Sequence, residues 1–308
     1  MPTPINPSPP EADQIIFHTP GFRRYKTDEH DNRGGDEFVS ISITGTACAL
    51  HCAHCDTKIL RGMTDLRRFD GSLYALCENL AERGTRGVLI SGGSDPTGRV
   101  PLLAHIPDLI RIRKELGLTV RAHVGLPDEE TCAALGEVGL DGAMIDVIGH
   151  CDTIREVYHL AAGPENYENA LAWLEKYRVP MVPHIVLGLH FGRMLGEGRA
   201  LEMIVRHPPK LLALVVLMPV SKTAMQDAIP PSLPEIGAFF QRARLLLPDT
   251  PVMLGCARPM GAMKIAIDRL AVDAGLNGIA YPANGIVEYA RQAGLNPQFS
   301  AACCGVDW

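Results

Sequence analysis

The sequence has no long apolar run and no cluster of basic residues. No segment reaches the roughly eighteen consecutive apolar residues that a membrane-spanning helix needs, so we expect no membrane partner. Lys and Arg together number 29 against 35 acidic residues, which gives a net charge of −6. Because nucleic-acid binding usually depends on a basic patch, this composition argues against a nucleic-acid partner. The first fourteen residues are polar and proline-rich, and they do not resemble a secretory signal.

Disulfide bonds are also not expected. The chain contains nine cysteines, which is an odd number, and three of them are clustered. In a chain without a secretory signal, this pattern favours a reducing compartment and metal ligation over a disulfide framework. We therefore predict a cytoplasmic protein whose clustered cysteines bind metal.

The order of the predicted elements indicates the fold class. At 308 residues the chain has the length of one α/β barrel or of two ordinary domains. Eight strand-like segments alternate with helical ones, which predicts a (β/α)8 barrel of TIM type rather than a doubly wound sheet. The predicted strands are 38–44, 87–91, 118–123, 142–147, 182–188, 211–218, 251–255 and 277–281. We expect an N-terminal arm at 1–36, the barrel at 37–295 and a cysteine-bearing tail at 296–308 that closes the barrel mouth.

Three cysteines follow the first predicted strand with the spacing C-x3-C-x2-C: Cys48, Cys52 and Cys55. Iron–sulfur clusters are held by cysteine thiolates, and a [4Fe–4S] cluster has four iron corners to ligate. Three local ligands leave one iron open, and an open iron can chelate the amino and carboxylate groups of S-adenosylmethionine (SAM). The alternative is a zinc site that uses these cysteines with His51 or His54. Structural zinc motifs usually show two separated ligand pairs, so the spacing favours the cluster.

The carboxyl ends of barrel strands supply further candidates, because catalytic residues of such barrels lie there. The second predicted strand ends in a Gly-Gly turn, where the backbone can approach a ligand closely. Later strands end at His123, at Asp146 and near His184, although a lone histidine at such a position is often a core residue. The candidate cofactor-binding residues are Ser91, Gly92, Gly93, Ser94, His123, Asp146 and His184. No catalytic residue is assigned.

A second set of cysteines lies far along the chain. Cys256 follows the seventh predicted strand, and Cys303 and Cys304 lie near the last residue. A tail of about a dozen residues can reach the barrel rim at roughly 3.3 Å per residue. Three thiolates brought together there predict a second, auxiliary Fe–S cluster; the alternative is a core Cys256 and a free tail. The cysteines outside both triads are Cys77 and Cys132, predicted as buried hydrophobes, and Cys151, which is left unassigned.

The segment 44–55 resembles the signature loop of the radical SAM superfamily, with His54 where an aromatic residue is usual. The Gly92-Gly93 pair looks like the turn that holds the amino group of SAM in that superfamily. The run 184–190, the run 255–259 and the terminal Cys303-Cys304 are similar to a group near biotin synthase. That group includes the two-component lipoyl synthases of archaea and bacteria. The likeness covers nearly all of 37–308.

The resemblance implies an enzyme that inserts sulfur into an unactivated C–H of a protein-bound octanoyl chain. In such enzymes a reduced [4Fe–4S] cluster cleaves SAM to a 5′-deoxyadenosyl radical, and an auxiliary cluster is sacrificed as the sulfur source. Cys48, Cys52 and Cys55 would then hold the first cluster, and Cys256, Cys303 and Cys304 the second. The implied partners are an octanoylated lipoyl-carrier protein or peptide, a second radical SAM subunit and a reductant such as ferredoxin or flavodoxin.

Two other functions remain open from the sequence. The second cluster of a radical SAM enzyme can relay electrons while the barrel rearranges or fragments a small molecule. A protein of another class, an Fe–S electron carrier or a zinc-stabilised scaffold, would show no turnover. Cleavage of SAM by the reduced protein separates a radical SAM enzyme from a scaffold. The sulfur that the protein loses in each turnover separates sulfur insertion from rearrangement.

Overall fold

The computed structural model describes residues 13–21, 24–32 and 37–303. These residues form one eleven-stranded sheet with helices packed against it. The strands are β1 (Gln14–His18), β2 (Phe38–Ser42), β3 (Thr64–Asp65), β4 (Gly87–Ser91), β5 (Thr119–His123), β6 (Gly142–Asp146), β7 (Met181–Leu187), β8 (Leu212–Val216), β9 (Val252–Leu254), β10 (Gly278–Ala280) and β11 (Asn296–Ser300). The α-helices are α1 (Leu73–Glu82), α2 (Ile106–Arg111), α3 (Glu129–Val138), α4 (Cys151–Val157), α5 (Pro164–Lys176), α6 (Glu197–Arg206), α7 (Leu233–Leu246), α8 (Ala262–Asp273) and α9 (Ile286–Gln292).

All strand pairs described are parallel, and the sheet order is β11-β1-β10-β9-β8-β7-β6-β5-β4-β2-β3. The run from β2 to β10 without β3 contains eight strands in chain order, and these are the eight strands that the sequence predicts. The predicted α/β alternation is therefore confirmed. Parallel strands need crossover connections, which the intervening helices provide.

The sheet is curled, with one hydrophobic cluster outside it and a smaller one within. Phe38 of β2, Met144 of β6 and Met253 of β9 belong to the inner cluster, and Cys303 lies in it as well. Strands far apart in the sheet order share these inner contacts only if the sheet bends round on itself. Its edge strands, β3 and β11, do not pair with each other in the described part of the chain. The fold is thus a curled half-barrel rather than a ladder closed by hydrogen bonds.

Both ends of the described chain add strands to this sheet. β1, in the segment expected to be an arm, pairs with β10, so that His18 lies beside Ala280. β11, in the segment expected to be a tail, pairs with β1 on its other side, and His18 lies beside Ser300. Because all three strands are parallel, residues 300–303 arrive at the carboxyl edge of the sheet.

Local sequence signals position the helices. Ser72 and Asp128 cap α1 and α3 by accepting hydrogen bonds from backbone N–H groups. Ser232 and Glu235 form a reciprocal capping box at the start of α7. Gly139 ends α3 in the left-handed conformation, with φ of 69°, which is common for a glycine at a helix end. Within the described ranges, none of the helices has the length and apolar character needed to cross a bilayer.

The first barrel strand shows why the interior can hold a ligand. Ile41 and Ile43 point to the same face of the strand and are buried in the outer cluster against the helices. Ser40 and Ser42 occupy the alternate positions and are buried on the other face. The inner face is therefore small and polar near the carboxyl end of β2, where the cysteine loop begins.

Candidate active site

The cysteine loop begins at the carboxyl end of β2 and turns back on itself several times. Thr44 Oγ1 donates to Ala47 O at 2.9 Å, and Ala53 N donates to Val157 O at 2.8 Å, which ties the loop to the end of α4. Cys55 N donates to Cys52 O at 3.1 Å. Such short-range turns bring thiols that are three and four residues apart onto one side of the loop.

Three ligand atoms of the loop converge. Those of Cys52, His54 and Cys55 lie within 4.8 Å of one another, and the structure shows no other such group in the residues it describes. Cys48 is half-buried on the same core, as is Cys55. The Nδ1 atom of His54 is buried and has no hydrogen-bond partner among the described residues.

The electrostatics of the thiols favour a ligating thiolate. The Cys52 thiol donates a hydrogen bond to Cys55, which is the largest of the causes that lower the pKa of Cys55 to about 4. The same bond, together with burial, raises the pKa of Cys52. A thiol whose pKa is lowered by its neighbour is readily deprotonated and ligates a positive iron centre as the thiolate, and metal binding also removes the proton of the neighbouring thiol.

The donor set fits a [4Fe–4S] cluster. Each thiolate of a cluster binds a different iron, so the ligand sulfurs need not crowd round one point. This accounts for Cys48 lying outside the tight group. A single zinc ion would take Cys52, His54 and Cys55 and would leave Cys48, the first cysteine of the spacing, outside its ligand group.

The Gly-Gly turn after β4 packs directly against this loop. Gly93 N donates to Thr44 Oγ1 at 2.7 Å, and Ala49 N donates to Ser94 O at 2.8 Å. A Cβ atom added to Gly93 would lie 2.0 Å from Ala47 O and 2.4 Å from Cys48 Cβ. The predicted cofactor-binding turn and the predicted metal loop are therefore neighbours. Ser91 is buried at the end of β4, and its carbonyl accepts from Ile43 N at 2.8 Å.

Asp146, at the end of β6, joins the cysteine loop to the interior of the sheet. Tyr158 Oη donates to Asp146 Oδ2 at 2.9 Å, and the Tyr158 ring lies 5.3 Å from that of His54. Burial and the Asp146 charge raise the pKa of Tyr158 well above its ordinary value, so the phenol stays protonated and donates. An aromatic ring thus lies beside His54, the residue that replaces the usual aromatic one before the third cysteine.

His123 and His184 lie together on the inner face. They end β5 and occupy β7, and their ring centroids are 5.8 Å apart. Asp146 and His184 are register partners in the β6–β7 ladder. Burial, reinforced by His184 and opposed by Asp146, lowers the pKa of His123 to about 4, so His123 is neutral at pH 7. The structure brings these three predicted residues together at one edge of the sheet.

Residues 42–193 match the radical SAM superfamily. The chain carries a radical SAM domain. The matched range contains both the cysteine loop and the Gly-Gly turn, and the superfamily implies a [4Fe–4S] cluster and SAM as cofactors. This match makes the zinc scaffold the weaker interpretation of the cysteine loop.

Biotin synthases are among the proteins to which this chain is similar. That of Ruthia magnifica subsp. Calyptogena magnifica is 25% identical over 252 residues, which cover 78% of this chain and 75% of the relative. That of Halorhodospira halophila is 27% identical over 254 residues, which cover 78% of this chain and 73% of the relative.

Among solved structures, methylornithine synthase superposes with a TM-score of 0.55 at 15% identity, over 86% of this chain and 84% of that one. The FeFe-hydrogenase maturase HydG from Carboxydothermus hydrogenoformans gives 0.59 at 15% identity, over 94% and 69%. These structures show a shared fold.

The interior of the sheet also contains two side chains that the sequence analysis did not identify. His18 of β1 is 1% exposed, and Arg121 of β5 is fully buried. Arg121 stands two residues before His123, so the i, i+2 spacing of polar residues in a strand was the available signal. No comparable signal marked His18, because β1 lies outside the eight predicted strands.

Because the His18 ring is buried, we expect the free energy of unfolding to depend on pH. Burial, and to a smaller extent Arg121, lowers the pKa of His18 to about 4, although a hydrogen bond to Ala302 O opposes the shift. Between the unfolded value of 6.5 and about 4, only the unfolded chain takes up this proton, so stability falls as the pH falls through that window. We expect the loss of unfolding free energy from pH 7 to pH 5 to be smaller in His18→Leu than in the wild type, by about 2 kcal/mol. Urea titrations at both pH values measure it, and equal losses in the two proteins would contradict the assignment.

The second set of predicted ligands lies at the same carboxyl edge. Cys256 is exposed and follows β9 by two residues. Cys303 is buried, 6% exposed, in the inner cluster beyond β11. Cys304, the third predicted ligand, falls outside the described residues. Cys77 and Cys132 are buried as predicted, and burial raises the pKa of each thiol to about 12. Cys151 is exposed at the start of α4.

Proposed function

We propose that this radical SAM enzyme inserts sulfur into an unactivated C–H of a protein-bound octanoyl chain, as a lipoyl synthase component does. The observation that carries the proposal is the position of Cys256 and Cys303. One follows β9 and the other follows β11, at the edge of the sheet that also bears the cysteine loop. Cys304, next in the chain, would complete a triad that holds an auxiliary Fe–S cluster. The similarity of this chain to biotin synthases is consistent with sulfur insertion.

When bound, the two clusters and SAM supply a carbon-centred radical and a source of sulfide. The residues of the chain position and protect these groups. The cysteine loop and the Gly-Gly turn hold one side of the site, and Asp146 with its Tyr158 donor offers a fixed carboxylate for a polar group of the cofactor. The buried inner face excludes water, which would divert a reactive intermediate.

The inner cluster suits an alkyl substrate. Leu89, Met144 and Val182 present apolar side chains on the inner face, and Met253 continues this surface towards β9. An octanoyl chain is unbranched and apolar, and each CH2 group that leaves water for an apolar surface contributes roughly 0.8 kcal/mol. A carrier protein would remain outside at the exposed rim, where Cys256 lies.

Two experimental arms test sulfur insertion against the alternatives. Anaerobically reconstituted protein is given SAM, a reductant and an octanoylated lipoyl-domain peptide, and the peptide is weighed. We expect a peptide that gains sulfur in the wild type. We expect Cys256→Ala to keep cleaving SAM but to leave the peptide unchanged, because the auxiliary cluster loses a ligand. Cys151→Ala is the matched control, since Cys151 is another exposed cysteine and has no place in either triad.

Sulfur gain that persists in Cys256→Ala would reject the triad as the sulfur source. Wild-type protein that cleaves SAM but leaves the peptide without sulfur would move the assignment to rearrangement of a small molecule. Protein that does not cleave SAM at all would favour the non-catalytic scaffold.

A further inference from the structure

A buried ion-pair network lies immediately behind the Cys256 loop. Arg258 is 1% exposed and Asp268, on α8, is fully buried. The guanidinium of Arg258 binds both carboxylate oxygens of Asp268, at 2.5 and 3.1 Å. Asp268 also accepts from Lys264 Nζ at 3.1 Å and from Ala283 N at 2.6 Å. Asp268 thus fixes the plane of the arginine fork.

The remaining donors of Arg258 are aimed at the backbone next to Cys256 and at the end of β10. Nη1 donates to Gly255 O at 2.8 Å, the carbonyl directly before Cys256. Nη2 donates to Ala280 O at 2.8 Å and to Tyr281 O at 3.0 Å. A planar fork that satisfies carbonyls of two neighbouring strand ends sets their relative position, which a flexible ammonium could not do.

Further hydrogen bonds connect Tyr281 to the backbone next to Cys303. Tyr281 N donates to His18 O at 2.7 Å, and Tyr281 Oη donates to Pro20 O at 2.8 Å. His18 Nδ1 in turn donates to Ala302 O at 3.3 Å, and Ala302 directly precedes Cys303. One connected set of bonds therefore links the carbonyl before Cys256 to the carbonyl before Cys303.

We propose that Arg258, locked by Asp268, is a positioning residue that sets the spacing of Cys256 and Cys303 for the auxiliary cluster. This inference rests on the proposed function, because it assumes that these cysteines share a cluster. Arg258 touches no reacting atom; it acts through the backbone on either side of the cluster.

Stability alone is a poor reason for such a network. Taking two opposite charges out of water costs several kcal/mol each, and well-packed apolar residues of similar volume often stabilise a fold as well. In addition, the ion pair fixes the directions in which the Arg258 guanidinium donates its hydrogen bonds. All three nitrogens of the Arg258 guanidinium are committed, and the backbone groups that they bind lie beside Cys256 or along the path to Cys303.

Arg258→Gln and Arg258→Lys test the inference through cluster content. Asp268 keeps Lys264 and Ala283 N in both variants, and the lysine variant also keeps a cation beside it. We expect each variant to bind about half the wild-type iron, on the order of four instead of eight per chain, with the cluster of the cysteine loop retained. The electron paramagnetic resonance signal of the second cluster should be lost in both variants. The lysine ammonium keeps the positive charge, but it cannot bind the carbonyls that the planar guanidinium binds.

Two further variants separate positioning from folding. Arg244→Gln is the matched control, because Arg244 donates to Leu247 O, Pro248 O and Thr250 O in the loop before β9. It should lower the melting temperature but keep all the iron. His18→Leu breaks the link to Ala302 from the other side, and it should lose the second signal even if the Arg258 variants do not fold.

The outcomes distinguish failure of the proposed function from failure of the positioning role of Arg258. Wild-type protein with about four irons per chain would overturn the proposed function itself. Wild-type protein with about eight, and folded Arg258 or His18 variants that keep both the iron and the second signal, would overturn only the positioning role. Equal iron loss in Arg244→Gln would also overturn it, since general weakening of β9 would then suffice.

Discussion

Replacing Cys48, Cys52 and Cys55 together with alanine should abolish SAM cleavage completely. The Cys52 thiol donates a hydrogen bond that lowers the pKa of Cys55, and Cys48 lies half-buried beside the same core. No other group of converging metal ligands occurs among the described residues, so nothing described here replaces them. The iron content of reconstituted protein should fall by half, from about eight to about four per chain. Liquid chromatography of 5′-deoxyadenosine and a colorimetric iron assay measure the two effects.

Cys77→Ala and Cys132→Ala provide the control for cysteine loss in general. Both thiols are fully buried in the outer cluster, where they act as small hydrophobes. These variants should lose stability but keep SAM cleavage for each folded molecule. Residual cleavage in the triple variant would show that the cysteine loop does not bind the catalytic cluster.

Gly93→Ala should damage both SAM binding and the cluster. The added Cβ would lie 2.0 Å from Ala47 O, a backbone atom of the cysteine loop, and 2.4 Å from Cys48 Cβ. Real Cβ atoms do not approach backbone so closely, so one of the two loops must move. We expect SAM affinity to fall at least tenfold, about 1.4 kcal/mol, together with partial loss of iron. Calorimetry with SAM and the iron assay report the two effects separately.

Gly92→Ala is the neighbouring control. Its added Cβ would meet only side-chain atoms of Ile43 and Thr44, all at 3.1 Å, which shifts of a few tenths of an ångström relieve. Its effect on SAM affinity should therefore be several times smaller. If the two variants bind SAM equally well, the Gly-Gly turn is an ordinary loop.

The predicted order of strands was confirmed because each β-α unit has its own local signals. Helix caps such as Asp128 and helix-ending glycines such as Gly139 divide the chain into units. β1 and β11 were not predicted. β1 is only five residues long, and a short apolar run near a chain end gives no sign of the partner that it pairs with. Its partner, β10, lies more than 250 residues away, so the pairing depends on the completed sheet.

The candidate site was predictable to the extent that its residues sit in motifs. The cysteine spacing and the Gly-Gly pair are local patterns, and the structure places them in contact. Tyr158 was missed because it contacts Asp146 from outside any strand end. Arg258 entered the sequence analysis only as part of the run 255–259, since its buried partner Asp268 is ten residues away on α8. Side chains that orient a site depend on tertiary contacts that sequence spacing does not record.

The origin of the inserted sulfur tests the central claim most directly. The clusters are built with a heavy sulfide isotope, and an octanoylated lipoyl-domain peptide is weighed after reaction with SAM, a reductant and unlabelled solution components. Our account predicts a peptide that carries heavy sulfur, in an amount that stops near one turnover per chain because the auxiliary cluster is consumed. A peptide that gains no heavy sulfur, in a protein that cleaves SAM well, would contradict it.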